Sequence, residues 1–546
     1  MIIKNINSLQ RVFGDNEPVG EISSAVMLSN DVYNFQIAVC PEEEVFLKFK
    51  IETDIEEAIT IRNVFSVPSD LEIYPDYDKN GFYEFSPNGM YPDVLKPLKN
   101  NVFYGKRGNW QSLWVTVNAV SVKPGKHNFC ITFVNPHNGK EYAKGNTVSI
   151  EILDPALEDQ RLIYTNWFHC DCLAHYYNEE VFSERFWAIT FNYMKTAAEH
   201  GMNMILTPVF TPPLDTAVGT ERLTVQLVDV KKENNNYYFS FEKLGRWIDT
   251  ARNCGITYFE ISHLFTQWGV SSCPKIMGRV NGEEKRIFGW DTAADSPEYI
   301  AFLDAFLPAL ISYLKKKNAD KTSYFHISDE PCADYIDRYR FASGIIKKHL
   351  GTEFHTFDAL SDYEFYENGL VETPIPATSA IEPFRNVKNL WTYYCCGQFR
   401  NGLSNRFFCM PSTRNRIIGV QLYIYNIEGF LQWGYNFYNT QNSFSQINPY
   451  LTTAAGVAFP SGDAFVVYPE TDGTALSSLR FEVFADALRD LQALQTLEKI
   501  IGRQAVISII QEGVDYEITM TEYPTDYKWL INLREKVNMR LNSLLK

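Results

Sequence analysis

The sequence predicts a multidomain protein combining β and α/β classes: an N-terminal antiparallel β-sandwich, then a (β/α)8 barrel, then a mainly helical C-terminal extension. Three observations predict it. The opening segment alternates apolar and polar residues between turn signals. Beyond it, short apolar runs alternate with helical stretches. The chain, at 546 residues, also exceeds what a single core organises. The divisions fall at residues 1–155, 156–460 and 461–546.

The sandwich is read from runs such as Phe46–Ile51, Ser112–Val117, His127–Phe133 and Thr147–Ile152. Period-two alternation buries one face of each strand and solvates the other. Pro124-Gly125 and Asn138-Gly139 supply turns, and Asp154-Pro155 ends the last strand, because proline cannot donate to a ladder.

Eight barrel strands are expected at Leu162–Asn166, Asn203–Val209, Ile256–Ser262, Ser323–Ser328, Glu353–Asp358, Ile375–Thr378, Leu390–Cys395 and Gly429–Asn436. The segment Arg222–Phe241 breaks the pattern and reads as a β-hairpin inserted after the second of them. Between the strands, Ser296-Pro297 caps and starts a helix whose apolar stripe includes Leu303, Leu307, Leu310 and Leu314. Further helices are expected from Ala333 to Leu350 and from Arg416 to Tyr425. In the extension, one begins after Ser478 and a last one carries Leu530, Leu533 and Leu541.

The formal net charge of −16 argues against nucleic acid or an anionic membrane as partner. A neutral substrate suits it better. Aromatic residues make up 15% of the chain, enough to fill cores and still stack on ligands. No uninterrupted apolar segment suggests membrane insertion or a signal peptide, so a cytoplasmic location is expected. The ten cysteines lack structural zinc spacing and read as free thiols. No phosphate-binding glycine loop, nucleophile elbow or zinc-protease helix is present, and neither cofactor nor metal is expected. Asp76–Gly81 begins like a calcium loop, but Pro87 stands where the bidentate glutamate belongs, so a plain Asx-rich turn is preferred.

Barrel enzymes place their chemistry at the C-terminal ends of strands. In Tyr324–Pro331, alternation turns Phe325 and Ile327 outward and His326, Ser328 and Glu330 inward. Glu330 then stands at the rim of an apolar cavity as a proton donor. Asp329 points outward under strict alternation and reaches the cavity only if the strand loses its pleat. The third strand repeats the logic, with Glu260 inward and His263 at the rim. The seventh offers Trp391, Tyr393 and Tyr394, and the eighth Gln432, Trp433, Tyr435 and Asn436. Trp433 and Tyr394 are the preferred sugar platforms, with Trp391, Tyr435 and Asn436 as further contacts.

The ordered set His326–Pro331, Arg414–Arg416, Gly429–Asn436, Gly462-Asp463, Val467–Pro469, Ser477–Glu482 and Leu488–Asp490 resembles glycoside hydrolase family 123 and its relatives. The resemblance implies removal of terminal β-N-acetylgalactosamine-like sugars by substrate assistance, the acetamido oxygen serving as nucleophile. It implies Glu330 as general acid and base, and Asp329 as the group that holds the acetamido nitrogen. Two alternatives stand beside it. One is a two-carboxylate retaining glycosidase with Glu260 as nucleophile. The other is a carbohydrate-binding barrel without turnover.

Overall fold

The computed structural model describes residues 1–79 and 81–545. Its N-terminal part is a sandwich. One sheet runs in the order Ile2–Asn7, Val32–Cys40, Gln111–Asn118, Ile59–Pro68, Met90–Pro97. The facing sheet runs Ser24–Leu28, Val148–Leu153, Gly125–Val134, Val45–Glu52, Val102–Gly105, with Glu141–Lys144 added to Gly125–Val134. Pairing is antiparallel except between Ser24–Leu28 and Val148–Leu153. Alternation supplies the core: Phe35, Ile37, Leu113 and Val115 of one sheet meet Phe129, Ile131 and Ile150 of the other, all fully buried.

The second part is α/β. Its strands are β1 (Ile163–Asn166), β2 (Met204–Thr207), β3 (Tyr258–Ile261), β4 (Ser323–Phe325), β5 (His355–Ala359), β6 (Thr373–Ile375), β7 (Trp391–Tyr393) and β8 (Gly429–Gln432). Each expected run therefore contains or overlaps a strand, although most are shorter than the apolar run itself. All pairings are parallel, in two sheets: β2-β3-β4-β5-β6 and β1-β8-β7. The expected closed ring is not one continuous ladder. Between β1 and β2 the backbone link is Asn203 N–H to Tyr164 O at 3.2 Å. Between β6 and β7 it is a single bridge of Ala377 with Tyr393.

The two faces of these strands separate cleanly. Phe259, Ile261, Phe325 and Ile327 pack among the helices. Met204, Leu206, Phe357, Ile375, Trp391 and Leu431 form a second cluster that draws on both sheets. At Gly429 a Cβ would fall 1.9 Å from the Trp391 ring, so only glycine lets β7 and β8 carry that indole between them.

The hairpin after β2 is Asp229–Glu233 and Asn236–Ser240. Residues 222–228 are not part of it, because Arg222 is buried on Asp171. A second hairpin, Ile276–Val280 with Glu283–Phe288, joins it through Lys231 and Arg279. Its charged run Glu283–Arg286 gives no apolar period to read.

Ser296 caps the helix Pro297–Lys316. By length and composition that helix could cross a membrane, yet Tyr299, Phe302, Leu303, Phe306 and Leu310 are buried inside the protein. The helix Leu479–Ile501, capped by Ser478, is buried over most of its surface. It reaches the sandwich through Arg480–Asp93 at 2.9 Å and Glu482–Arg62 at 2.6 Å. In Tyr527–Leu545, Arg534 pairs with Asp31 and Asp490. All ten cysteines are free thiols. In the Asp76–Gly81 turn, Arg400 binds Asp76 and the Asn401 N–H binds Asp78, while Asn80 lies outside the described residues.

Candidate active site

The site is built where β4 stops behaving as a strand. Its ladder ends at Phe325. Beyond it, the Asp358 carboxylate on β5 takes over, accepting the Ile327 N–H at 3.1 Å and the Ser328 N–H at 3.4 Å. Glu330 then adopts φ +45° and donates its N–H to Ala359 O at 3.0 Å. A left-handed conformation is costly for a side chain of this size and persists only where its surroundings impose it. It removes the pleat, so Asp329 and Glu330 both face one cavity of about 280 Å³.

Beneath the pair lies a closed polar network. His326 sits between Glu260, 2.5 Å from Nε2, and Asp358, 2.8 Å from Nδ1. Burial alone would lower the imidazole pKa, but these two carboxylates outweigh it and raise it to about 9, so His326 is an imidazolium. Glu260 also accepts from Thr165 and Trp167, each at 2.6 Å. Tyr339 donates to Asp358 at 2.5 Å. His263 stacks on His326 with ring centroids 3.9 Å apart. Burial, and then the His326 charge, hold it neutral. His263, His326 and Asp358 bring possible metal-ligand atoms within 4.8 Å of one another. Yet both His326 nitrogens and both Asp358 oxygens are already taken by hydrogen bonds, so these residues read as a hydrogen-bonded network.

Burial, with the Glu330 charge added, pushes the Asp329 carboxyl well above the usual range. Tyr393 on β7 donates its hydroxyl to Glu330 Oε1 at 2.7 Å. Opposite, the Trp433 indole donates to Asp463 at 2.9 Å, whose carboxyl is pushed up to about 7 by burial. His169, on the same wall, is lowered to about 3 by burial and then Arg222. It is a neutral imidazole lying between Arg222 and the Trp433 carbonyl. Asp215, Gln267 and Gln441 add to the polar lining, and Asp215 is raised to about 6 by burial.

Of the residues singled out from sequence, Asp329, Glu330 and Trp433 line the cavity. The others do not. Glu260 is fully buried, with both oxygens held by Thr165, Trp167 and His326, so it is a support and no free nucleophile. His263 lies in the stack below. Trp391 fills the cluster between the sheets. Tyr394 and Tyr435 turn to the helix side, where Tyr435 donates to Tyr193 O. Asn436 bonds the His169 backbone at 2.8 and 3.1 Å. Tyr393, offered by the sequence but not preferred, is the exception: it lines the cavity and shares its face with Trp391 by simple alternation. Trp167, His169, Asp215, Gln267 and Trp268 were missed, as they come from strand ends and loops.

Residues 167–497 match the family model described as Glycoside hydrolase 123, catalytic domain. Among solved structures, a family 123 glycoside hydrolase from Clostridium perfringens, studied for glycolipid glycan hydrolysis, is similar in fold. Its TM-score is 0.73 at 16% identity, covering 99% of this chain and 97% of that one. A β-glucuronidase from Ruminococcus gnavus reaches a TM-score of only 0.31 at 9% identity, over 89% of this chain and 97% of its own, too low to carry an argument. No curated protein matches. With a family model spanning more than half its length, the chain belongs to glycoside hydrolase family 123 and is a glycosidase acting on carbohydrate.

Proposed function

We propose that this glycosidase removes terminal 2-acetamido-2-deoxy-β-hexosides, β-N-acetylgalactosaminides foremost, by a retaining mechanism in which the substrate's acetamido oxygen is the nucleophile. The observation that carries the reading is that Asp329 and Glu330 face the same cavity. The strand carboxylate that could have served as a protein nucleophile, Glu260, is locked in the network below.

The chemistry follows from that pair. Glu330 gives its proton to the glycosidic oxygen as the bond from C1 to that oxygen breaks. The acetamido oxygen bonds C1 and forms an oxazoline. Asp329 accepts the acetamido N–H and steadies the positive charge on that group. Water then adds at C1, with Glu330 as base, and the oxazoline reopens with net retention. Burial, and then the Glu330 charge, raise the Asp329 carboxyl well above the usual range. A bound N–H favours its ionised form. The aromatic rings of Trp167, Tyr393 and Trp433 suit the apolar faces of one sugar ring.

We read the eight parallel strands as a (β/α)8 barrel. Support comes from their chain order and from the two seam contacts, Asn203 to Tyr164 and Ala377 to Tyr393.

The test is hydrolysis of aryl β-N-acetylgalactosaminides and β-N-acetylglucosaminides, with the acetamido methyl progressively fluorinated. Substrate assistance requires the rate to fall as fluorine weakens the acetamido oxygen. Rates indifferent to fluorine, or wild-type inactivity across the series, would refute it.

A further inference from the structure

We propose that Trp268 is the platform for the leaving group, and that this leaving group is itself a pyranose. The inference rests on the proposed end-on cleavage of a terminal sugar.

The loop after β3 is fastened to the catalytic segment twice. Thr266 O accepts the Ser328 hydroxyl at 2.9 Å, and the Trp268 N–H donates to Asp329 O at 3.0 Å. Thr266 and Ser272 close its neck with reciprocal hydrogen bonds at 3.1 Å. At its tip, Trp268 takes φ +60° and Val270 φ +54°, conformations that disfavour bulky side chains. Trp268 is also 49% exposed. Its neighbour Gln267 is buried on the cavity wall with Nε2 lacking a partner.

Strain, exposure of a large apolar ring and an unsatisfied donor thus meet in one loop. Among the described residues, Trp268 is the one exposed aromatic of the cavity lining. Trp167, Tyr393 and Phe459 are buried, and Trp433 is half-buried. A cavity of about 280 Å³ lies at the small end of ligand pockets and suits one ring. With the terminal sugar inside, its leaving group occupies the open end, where Trp268 stands beside Asp329 and Glu330. A flat, half-exposed indole presented there offers the stacking surface that a pyranose face takes.

The experiment compares two substrates sharing the glycone: a disaccharide, and the methyl glycoside, which has no second ring. Trp268→Ala should lower kcat/KM for the disaccharide about 10- to 100-fold and leave the methyl glycoside within about 2-fold. Trp268→Phe should recover most of the loss. Trp268→Gly accommodates the left-handed backbone. It should lose as much disaccharide activity as the alanine variant while melting no lower than wild type. Equal losses on both substrates, or no loss on either, would overturn the proposal. If acetamido sugars are not cleaved but another hexoside is, the proposed function fails on its own. The same pair of leaving groups on that hexoside then judges Trp268.

Discussion

Glu260 Oε1 and His326 Nε2 lie 2.5 Å apart, with neither side chain open to solvent. The contact joins β3 to the residue that follows β4 and fixes the floor under Asp329 and Glu330. Breaking one side of a buried, hydrogen-bonded ion pair costs about 3–5 kcal/mol. Glu260→Gln should therefore lower the melting temperature and the denaturant midpoint clearly. Activity should survive in the folded fraction, because Glu260 does not reach the substrate cavity.

The same network sets an alkaline limit. The His326 pKa in the fold, about 9, lies above the roughly 6.5 of an unfolded histidine. The native state therefore binds the proton more tightly. The resulting stabilisation is complete below about pH 6.5 and is lost as pH rises to about 9. Melting curves across that range should fall for wild type. For His326→Gln they should start lower and run flatter.

The hydroxyl of Tyr393 is the direct protein partner of Glu330. A side-chain hydrogen bond is worth about 0.5–1.5 kcal/mol, so Tyr393→Phe should lower kcat about 2- to 10-fold. Glu330→Gln should cost about 10²–10⁴-fold on poor leaving groups and much less on activated aryl glycosides. Steady-state kinetics on a leaving-group series separates the two.

Tyr394 gives the opposite expectation. It is fully buried, and among the described residues its hydroxyl has no partner. Removing an unsatisfied buried hydroxyl is neutral or stabilising, by up to about 1–3 kcal/mol. Tyr394→Phe should melt at or above the wild-type temperature with unchanged KM, whereas Trp433→Ala should raise KM.

Much of the fold was legible because each sheet has two chemically different faces. Period-two alternation sent Phe259, Ile261, Phe325 and Ile327 to the helices and left Glu260 and His326 opposite them. It also turned Glu330 toward the cavity that it lines, though by an incomplete route. The ladder ends at Phe325, and Glu330 is delivered by a left-handed turn that the Asp358 carboxylate helps to hold. Nothing local in the sequence reports that side chain reaching across from β5. Consistent use of the same alternation would have chosen Tyr393 over Tyr394, since Trp391 and Tyr393 share a face. Beyond Gln432 the strand has ended, so alternation no longer governs Tyr435 and Asn436. The loop residues Asp215, Gln267 and Trp268 have no period and take their places from tertiary contacts.

The ion pairs that tie the sandwich to the helix Leu479–Ile501 have an evolutionary consequence. Arg480 spends its guanidinium on Asp93 and on the carbonyls of Gly462 and Phe465, next to the segment that carries Asp463 and, through it, Trp433. A chain of contacts thus runs from Asp93 through Arg480 and the Gly462-Asp463 segment to Trp433, which lines the cavity. A lineage that shed or exchanged the N-terminal sheets would leave an arginine without its counter-ion in the scaffolding of the active site. Removal of the N-terminal sheets should therefore destabilise the scaffold that carries Asp463 and Trp433.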